Sequence, residues 1–447
     1  MSSSLKNKIE EYFDRLWPLN RSITGVDYRK SLDILSEIMP TNRLKFKTNQ
    51  KVFDWKVPEE WNVKDAYFVD SNGKKHADFK KNNLHLVGYS IPFQGKLSKK
   101  ELEKHLHFLP EKPDAIPYVV SYYKKTWGFC ISYREYQSLP EGDYEIFIDS
   151  MHFPGHIEIG EVVLEGKTDE EILFSTYLCH SSMANNELSG PLVMAFLFDK
   201  LKDISDRRYT YRFAIMPETI GSICYLTERG MHLKKKMVAG FQLTCLGDPG
   251  NFSYKLSRRQ NTLADKVATL ILRDMNSTNI YQFDPSDGTD DRQYCSPGFN
   301  LPFGSLMRTP YSKYYEYHTS LDNKDFISFK ALEESVNIYF KLFKLLEYNI
   351  IWESKNPYCE PQLGKRNLYP NLSSYSGHSK LVGDFEAIMW LLNMADGTND
   401  IIQIANVSKV SVENLLVCAK VLYEAGLIDT KNNIASGLMK NFHEGEY

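Results

Sequence analysis

The chain has 447 residues, 42% of them hydrophobic and 25% charged, a balance suited to a soluble globular protein with two or three domains. A formal net charge of −3 gives no global attraction to nucleic acid or to anionic membranes. No apolar run approaches the roughly 18 residues that span a bilayer, and the charged start "MSSSLKNKIEEYFDRLWPLN" lacks a secretory core, so the expectation is a cytoplasmic protein without a membrane partner.

The 7 cysteines, Cys130, Cys179, Cys224, Cys245, Cys295, Cys359 and Cys418, are scattered and form no CxxC pair. They read as reduced thiols, not as a disulfide framework.

Apolar spacing near 3.6 predicts helices over 4–18 and 28–39, separated by the turn and cap residues of "NRSITG". From about 44 to 160 short alternating runs follow: "KFKTNQKVFDW", "DAYFVD", "YVVSYY", "WGFCIS" and "YEIFIDS". With turns such as "SNGK" and "LPEGD", they predict a small β-rich subdomain inserted over 46–154. "KLSKKELEKHLHFLPEKPD" reads as a short solvated helix and loop.

Between 155 and 352 strands alternate with helices. "EILFSTYLC", "RYTYRFAIMP" and "MVAGFQLTCLGD" read as strands. "SGPLVMAFLFDKLKD", "ETIGSICYLTERG", "TLADKVATLILRDMN" and "FISFKALEESVNIYFKLFKLLEY" read as helices. That alternation predicts an α/β domain, residues 1–45 and 155–352, with a mainly parallel mixed sheet covered by helices on both faces. Residues 353–447 begin with a Pro-, Gly- and Ser-bearing connector, "NPYCEPQLGKRNLYPNLSSYSGHSK". Three short helices and a "GLI" exit then suggest a winged helix in which Ser411 caps the third helix.

Four positions at strand ends carry candidate chemistry. His180 follows "ILFSTYLC", Glu218 follows "YRFAIMP", Asp248 follows "GFQLTCLG", and His318 sits in "YYEYHTSLDN". Carboxyl ends of parallel strands share one edge, where open α/β sheets bind ligands. Two imidazoles and two carboxylates suit a zinc-like ion with a position left for an activated water. Each residue also has a structural reading. His180 can satisfy backbone groups, Asn186 and Glu187 can cap a helix, and Glu218 can favour a helix N-terminus. Asp248 can be a turn residue in "GDPGN", and His318 can be a loop imidazole bonded to Asp322. The acidic "SDGTDD" loop can be a solvated turn with Arg292 pairing locally.

In this order "CHSSMANNELSG", "MPETIGS", "LTCLGD" and "YHTSLDN" resemble the zinc-dependent aminopeptidase family that includes glutaminyl cyclases. More closely, "PLNRSITG", "WGFC", "DGTDDRQYCSPGFNLP" and "CEPQLGKRNLYP" resemble a bacterial subgroup associated with polysaccharide biosynthesis and ending in a winged helix. The resemblance spans nearly the whole chain. It implies metal ligation by His180, His318, Glu218 and Asp248, with Asn186 where the family has its bridging Asp. Cys245 falls at the Asp248 position in an ungapped reading. The Asn186 amide is a poorer zinc ligand than a carboxylate, so one zinc ion is expected in preference to two, and Pro217 replaces one member of a Glu pair, which leaves Glu218 to serve as metal ligand or as general base.

Glu187 is a candidate base or substitute ligand, and Arg292 a candidate for an oxyanion or a substrate carboxylate. Asp290 and Asp291 flank that arginine, and Asp322 is placed to orient His318. The expected activity is metal-dependent hydrolysis of an amide, most simply an aminopeptidase acting on a peptide or another amide-bearing small molecule. One alternative is deacylation of an amino sugar or polysaccharide intermediate. Another is a non-catalytic scaffold on a peptidase fold.

The remaining histidines show no ligand pattern; His152, in "DSMHFPGH" just ahead of the site-bearing region, stands nearest to an exception. The third helix of the tail, "SVENLLVCAKVLYEAG", has few basic residues. A packing or homo-oligomer contact is therefore expected of it, and no nucleic acid.

Overall fold

The structure, a computed structural model, describes residues 4–366, 368 and 385–430. Much of the later connector, including the end of "CEPQLGKRNLYP", lies outside the described residues.

An eight-stranded sheet forms the centre, in the order Asn42–Lys47, His156–Leu164, Thr210–Met216, Glu171–Tyr177, Met237–Leu243, Phe303–Met307, Ser253–Lys255, Ile280–Tyr281. The four middle strands, Thr210–Met216 through Phe303–Met307, run parallel. On one flank His156–Leu164 and Asn42–Lys47 pair antiparallel, and on the other so does Ser253–Lys255. Every residue of Glu171–Tyr177 and Thr210–Met216 is buried, which explains why apolar residues fall on both faces without alternation: a parallel strand covered on both sides has no solvent side, and the buried Glu171 and Arg212 pair with each other at 2.8 Å. Ile172 and Phe174 pack into one apolar cluster and Leu173, between them, into another.

The first cluster is closed by helices Leu5–Leu16, Ser189–Leu201, Leu263–Asp274 and Phe329–Glu347. Local signals set their ends. Thr262 and Asp265 form a reciprocal capping box, and Ser328 accepts from the Ala331 N–H. Gly190, at the start of Ser189–Leu201, abuts the sheet so closely that a Cβ would lie 2.3 Å from the Leu243 carbonyl oxygen. The opposite face is covered by helix Ile220–Lys236, whose last turn holds three lysines against the negative end of its dipole.

Between Asn42–Lys47 and His156–Leu164 the chain builds an antiparallel four-stranded sheet, in the order Lys75–His76, Glu60–Val69, Asp143–Phe153, Phe93–Ser98. Two expected strands fare differently. "KFKTNQKVFDW" contributes to the main sheet and then a two-stranded hairpin. "YVVSYY" is irregular, because the Tyr118 N–H goes to the His318 carbonyl and Val120 meets Gly88 in an isolated bridge. "KLSKKELEKHLHFLPEKPD" begins as the end of strand Phe93–Ser98, forms a short helical stretch, Lys99–Leu102 with a 3-10 turn to His105, and then pairs Leu106–His107 with Phe129–Cys130.

The tail is a winged helix. Helices Phe385–Met394, Ile401–Ser408 and Val412–Glu424 pack with strands Asp396–Asp400, Ile351–Ser354 and Ile428–Asp429. Ser411 caps the third helix by accepting from the Asn414 N–H at 3.2 Å. The tail shares its apolar cluster with the sheet domain, and Arg273 donates across to the Ala405 carbonyl at 2.9 Å. Among the described residues no single helix is long and apolar enough to cross a membrane.

Candidate active site at the carboxyl edge of the sheet

After Tyr177 the chain passes through Cys179 and His180 into a π-helical turn, Ala184–Leu188, which leads directly into Ser189–Leu201. Asp322 anchors this turn: its two carboxylate oxygens accept the N–H groups of Asn185 at 2.6 Å and Asn186 at 2.9 Å. The turn thereby aims three side chains at one edge of the sheet. Four non-glycine residues around it, Ser182, Thr219, Cys245 and His318, hold positive φ, a backbone cost of the kind concentrated at functional sites.

His180 is almost fully buried and uses both ring nitrogens. Nδ1 lies 2.6 Å from Glu187 Oε2, and Nε2 lies 3.5 Å from Glu218 Oε2. Across the edge, His318 Nε2 is 3.2 Å from Asn186 Oδ1, while Asn186 Nδ2 donates to the Tyr177 hydroxyl at 3.1 Å. The two imidazole rings are 5.4 Å apart, and Tyr118 stands against both, at 4.9 Å from His180 and 5.3 Å from His318. His180, Asn186, Glu218 and His318 therefore converge.

Electrostatics differ sharply within this group. Burial pulls the His180 imidazole down, but Tyr118, Cys179 and Glu187 override it and push it well above its ordinary value. Burial, then the positive charge of His180, push His318 down to about 3, so that ring is neutral. Burial raises the Glu218 carboxyl, against the opposing charge of His180 and with Glu187 adding to the rise. Arg292 is half-buried, and its charge acts to lower Glu218.

The other expected site residues are placed elsewhere. Asp248 does not face the histidines. Its oxygens accept from Asn185 Nδ2 at 3.1 Å, Thr309 Oγ1 at 2.6 Å and the Gly250 N–H at 2.8 Å, which fixes the turn after strand Met237–Leu243. Cys245 is a buried thiol pushed up to about 12, and it meets Asn186 Nδ2 at 3.9 Å. Asp322 supports the Asn186 turn instead of orienting His318. Glu187 holds the far nitrogen of His180, the position from which a carboxylate fixes the tautomer of a ligating ring.

Asp290 lies under Glu218, accepting from the Thr219 N–H and the Ser222 hydroxyl, both at 2.7 Å. Asp291 pairs with Lys255 at 2.9 Å, locking the acidic loop to the sheet. Two further residues belong to the site without a signal of their own in the sequence: Tyr118, inside the strand-like "YVVSYY", and Arg21, inside "PLNRSITG". Arg21 is 2% exposed; Nη1 donates to the Leu16 carbonyl at 2.5 Å, Nε and Nη2 have no described partner, and its strongest attraction is to Glu187.

Two separate donor pairs at this edge have the spacing of ligands on one small cation. A tetrahedral ion with bonds of roughly 2.1 Å separates its ligand atoms by about 3.4 Å. The His180–Glu218 and His318–Asn186 atom pairs match that spacing, at 3.5 and 3.2 Å. Cys179, His180 and Glu187 also place donor atoms within 4.8 Å of one another. That trio is a poorer candidate: the Cys179 thiol is pushed up to about 11 by burial, and Glu187 and Cys179 share the same ring nitrogen. The Asp248 oxygens are taken by Asn185, Thr309 and Gly250, and Pro217 stands in place of a second glutamate.

A sheet of this kind with a polar cluster at its carboxyl edge is an aminopeptidase-like fold. A zinc aminopeptidase from Bacillus subtilis superposes with a TM-score of 0.55 at 12% identity, covering 76% of this chain and 93% of that one. The chain belongs to the family defined by a domain of unknown function (DUF4910), matched over residues 10–349, followed by a winged helix-turn-helix over 350–430. A Clostridium acetobutylicum relative, provisionally named a polysaccharide biosynthesis protein with an aminopeptidase-like domain, is 40% identical over 96% of this chain and 97% of its own length. A crystal structure from the same organism, provisionally named a peptidase, superposes with a TM-score of 0.88 at 38% identity, covering 95% of this chain and 96% of that one.

Proposed function

We propose that the protein is a single-zinc amide hydrolase of the aminopeptidase type. The observation that carries this reading is the pairing of His180 Nε2 with the Glu218 carboxylate and of His318 Nε2 with Asn186 Oδ1, each at ligand spacing, on two rings 5.4 Å apart at one edge. His180, His318 and Asn186 would hold the ion, which when bound polarises a carbonyl and makes its water acidic.

The protein's own groups have separable tasks. Glu187 fixes His180 through Nδ1 and leaves Nε2 facing the site. Glu218, with its raised basicity and a side chain 25% exposed, takes the proton of the attacking water and returns it to the leaving nitrogen. Arg292 reaches the substrate's developing oxyanion or a neighbouring carboxylate. Tyr118 packs against both histidines and excludes water from their apolar side.

Metal analysis tests the reading. Purified protein loaded with zinc should retain close to one equivalent, and His180→Ala and His318→Ala should each lose most of it. Retention below about a tenth of an equivalent by the unaltered chain would overturn the proposal. With metal bound, aminoacyl anilides screened against N-acyl amino sugars separate peptidase from deacylase chemistry. The second class is included because the Clostridium relative carries a polysaccharide-biosynthesis name.

A further inference from the structure

A cavity of about 760 Å³ opens in the inserted β-rich region, between the hairpin around Trp55 and the loop of Tyr122 to Lys125. Its volume lies in the range of small-ligand sites. Two aromatic side chains are presented at its mouth: Trp55 is 40% exposed and Tyr123 57%, with rings edge-to-face at 5.5 Å. Large rings held this far out of a core, and against each other, leave flat faces free for a partner.

Charge at the mouth is unbalanced. Lys125 is neutralised by Glu59, whereas Lys56 and Lys124 make no ion pair with any described residue. Against them stands Asp54, so the lining carries a cationic surplus together with hydrogen-bonding groups, His152 among them. Flat aromatic faces, many polar contacts and unpaired lysines suit sugar rings that bear a carboxylate. A purely apolar ligand would make no use of the lysines or of His152.

The cavity is also joined to the candidate active site. Tyr122 lines it, and the Tyr122 hydroxyl lies 3.1 Å from that of Tyr118, the ring packed against His180 and His318. The Tyr118 N–H in turn donates to the His318 carbonyl at 2.9 Å. One short segment thus forms the wall of the cavity at one end and of the histidine cluster at the other.

We infer that this cavity is a binding subsite for an acidic oligosaccharide, with sugar rings stacked on Trp55 and Tyr123 and the carboxylate drawn by Lys56 and Lys124. The subsite goes beyond the amide-hydrolase reading and stands without it, because binding there requires neither His180 nor a metal.

Isothermal titration of the full chain with trigalacturonate, neutral maltotriose and triglutamate tests it. Trigalacturonate should bind, roughly tenfold more tightly than maltotriose. Trp55→Ala should weaken it roughly tenfold, and Lys56→Gln with Lys124→Gln should remove most of its advantage over maltotriose. His180→Ala should bind trigalacturonate as the unaltered chain does, even where it has lost its zinc. If Trp55→Ala does not fold, the paired lysine substitutions, both on exposed side chains, decide. No binding of trigalacturonate, equal affinity for maltotriose, equal affinity for triglutamate, or indifference to the substitutions would each overturn the inference.

Discussion

Two pairs of buried carboxylates flank the Ala184–Leu188 turn and are used in opposite ways. Asp248 and Asp322 have both oxygens engaged, with backbone N–H groups, Asn185 Nδ2 and Thr309 Oγ1 as donors. Glu187 and Asp290 each keep one oxygen, Oε1 and Oδ2, without a described partner, although both residues are fully buried. A buried acceptor left unpaired costs about 1–3 kcal/mol, so a fold that carries two of them beside a histidine pair keeps them for a reason other than stability. Saturated carboxylates hold the backbone; half-saturated ones surround the chemistry.

The contrast breaks if substitutions on the two sides behave alike. The largest effect is expected at Glu218, which faces the reacting edge: Glu218→Gln should lower the hydrolytic rate by about two to four orders of magnitude. Its zinc content and thermal midpoint should stay near those of the unaltered chain; loss of zinc would instead make Glu218 a ligand. On the saturated side, Asp322→Ala strands two buried N–H groups and should lower the unfolding free energy by about 3 kcal/mol in a denaturant titration. Asp248→Ala should also destabilise, by about 2 kcal/mol, while leaving zinc stoichiometry unchanged. A fall in stoichiometry would return Asp248 to the ligand set.

Asn186→Asp sharpens the contrast from within. It restores a charged oxygen at the point facing His318, while the Tyr177 hydroxyl remains available as a donor. Zinc affinity, measured by chelator competition, should rise by about ten- to a hundredfold.

The smallest effect lies far from the site, at His76, which bridges Asp70 and Glu135 in the inserted sheet, each at 3.2 Å. Burial alone would lower this imidazole, but the bonds to Glu135 and Asp70 outweigh it and raise it above 6.5. A raised folded-state value means that its stabilisation is complete below the unfolded value and fades as pH rises through the folded one. The thermal midpoint of the unaltered chain should exceed that of His76→Gln most at about pH 5–6 and least above about pH 8. A difference growing with pH would reverse the assignment.

The sequence made the parallel strands legible because burial on both faces leaves apolar runs that nothing else in the chain imitates. His180 and Glu218 were legible for the same reason: each is a polar residue directly beyond such a run. The same signal misled at Asp248, because its partner Asn185 comes from a distant turn and no spacing announces it. The four-residue interval from His318 suggested that Asp322 would orient the ring. The left-handed backbone of His318, at φ 52°, accompanies a ring facing Asn186 instead. Tyr118 was hidden in "YVVSYY", whose alternation is that of a strand although its hydrogen bonds go to a loop. Strands Ser253–Lys255 and Ile280–Tyr281 are too short for any period to show.

The apolar cluster that runs from Phe13 through Leu346 and Trp352 to Leu415 has a consequence for how the chain acquires its structure. During synthesis the strands of the parallel sheet, and the turns after them that bear His180, Glu218 and His318, emerge before the winged helix does. Until residues 385–430 follow, the outer surface of helix Leu263–Asp274 remains without part of its cover. The nascent chain therefore passes through a state with its carboxyl edge assembled and an apolar flank open, and arrival of the last helices closes it.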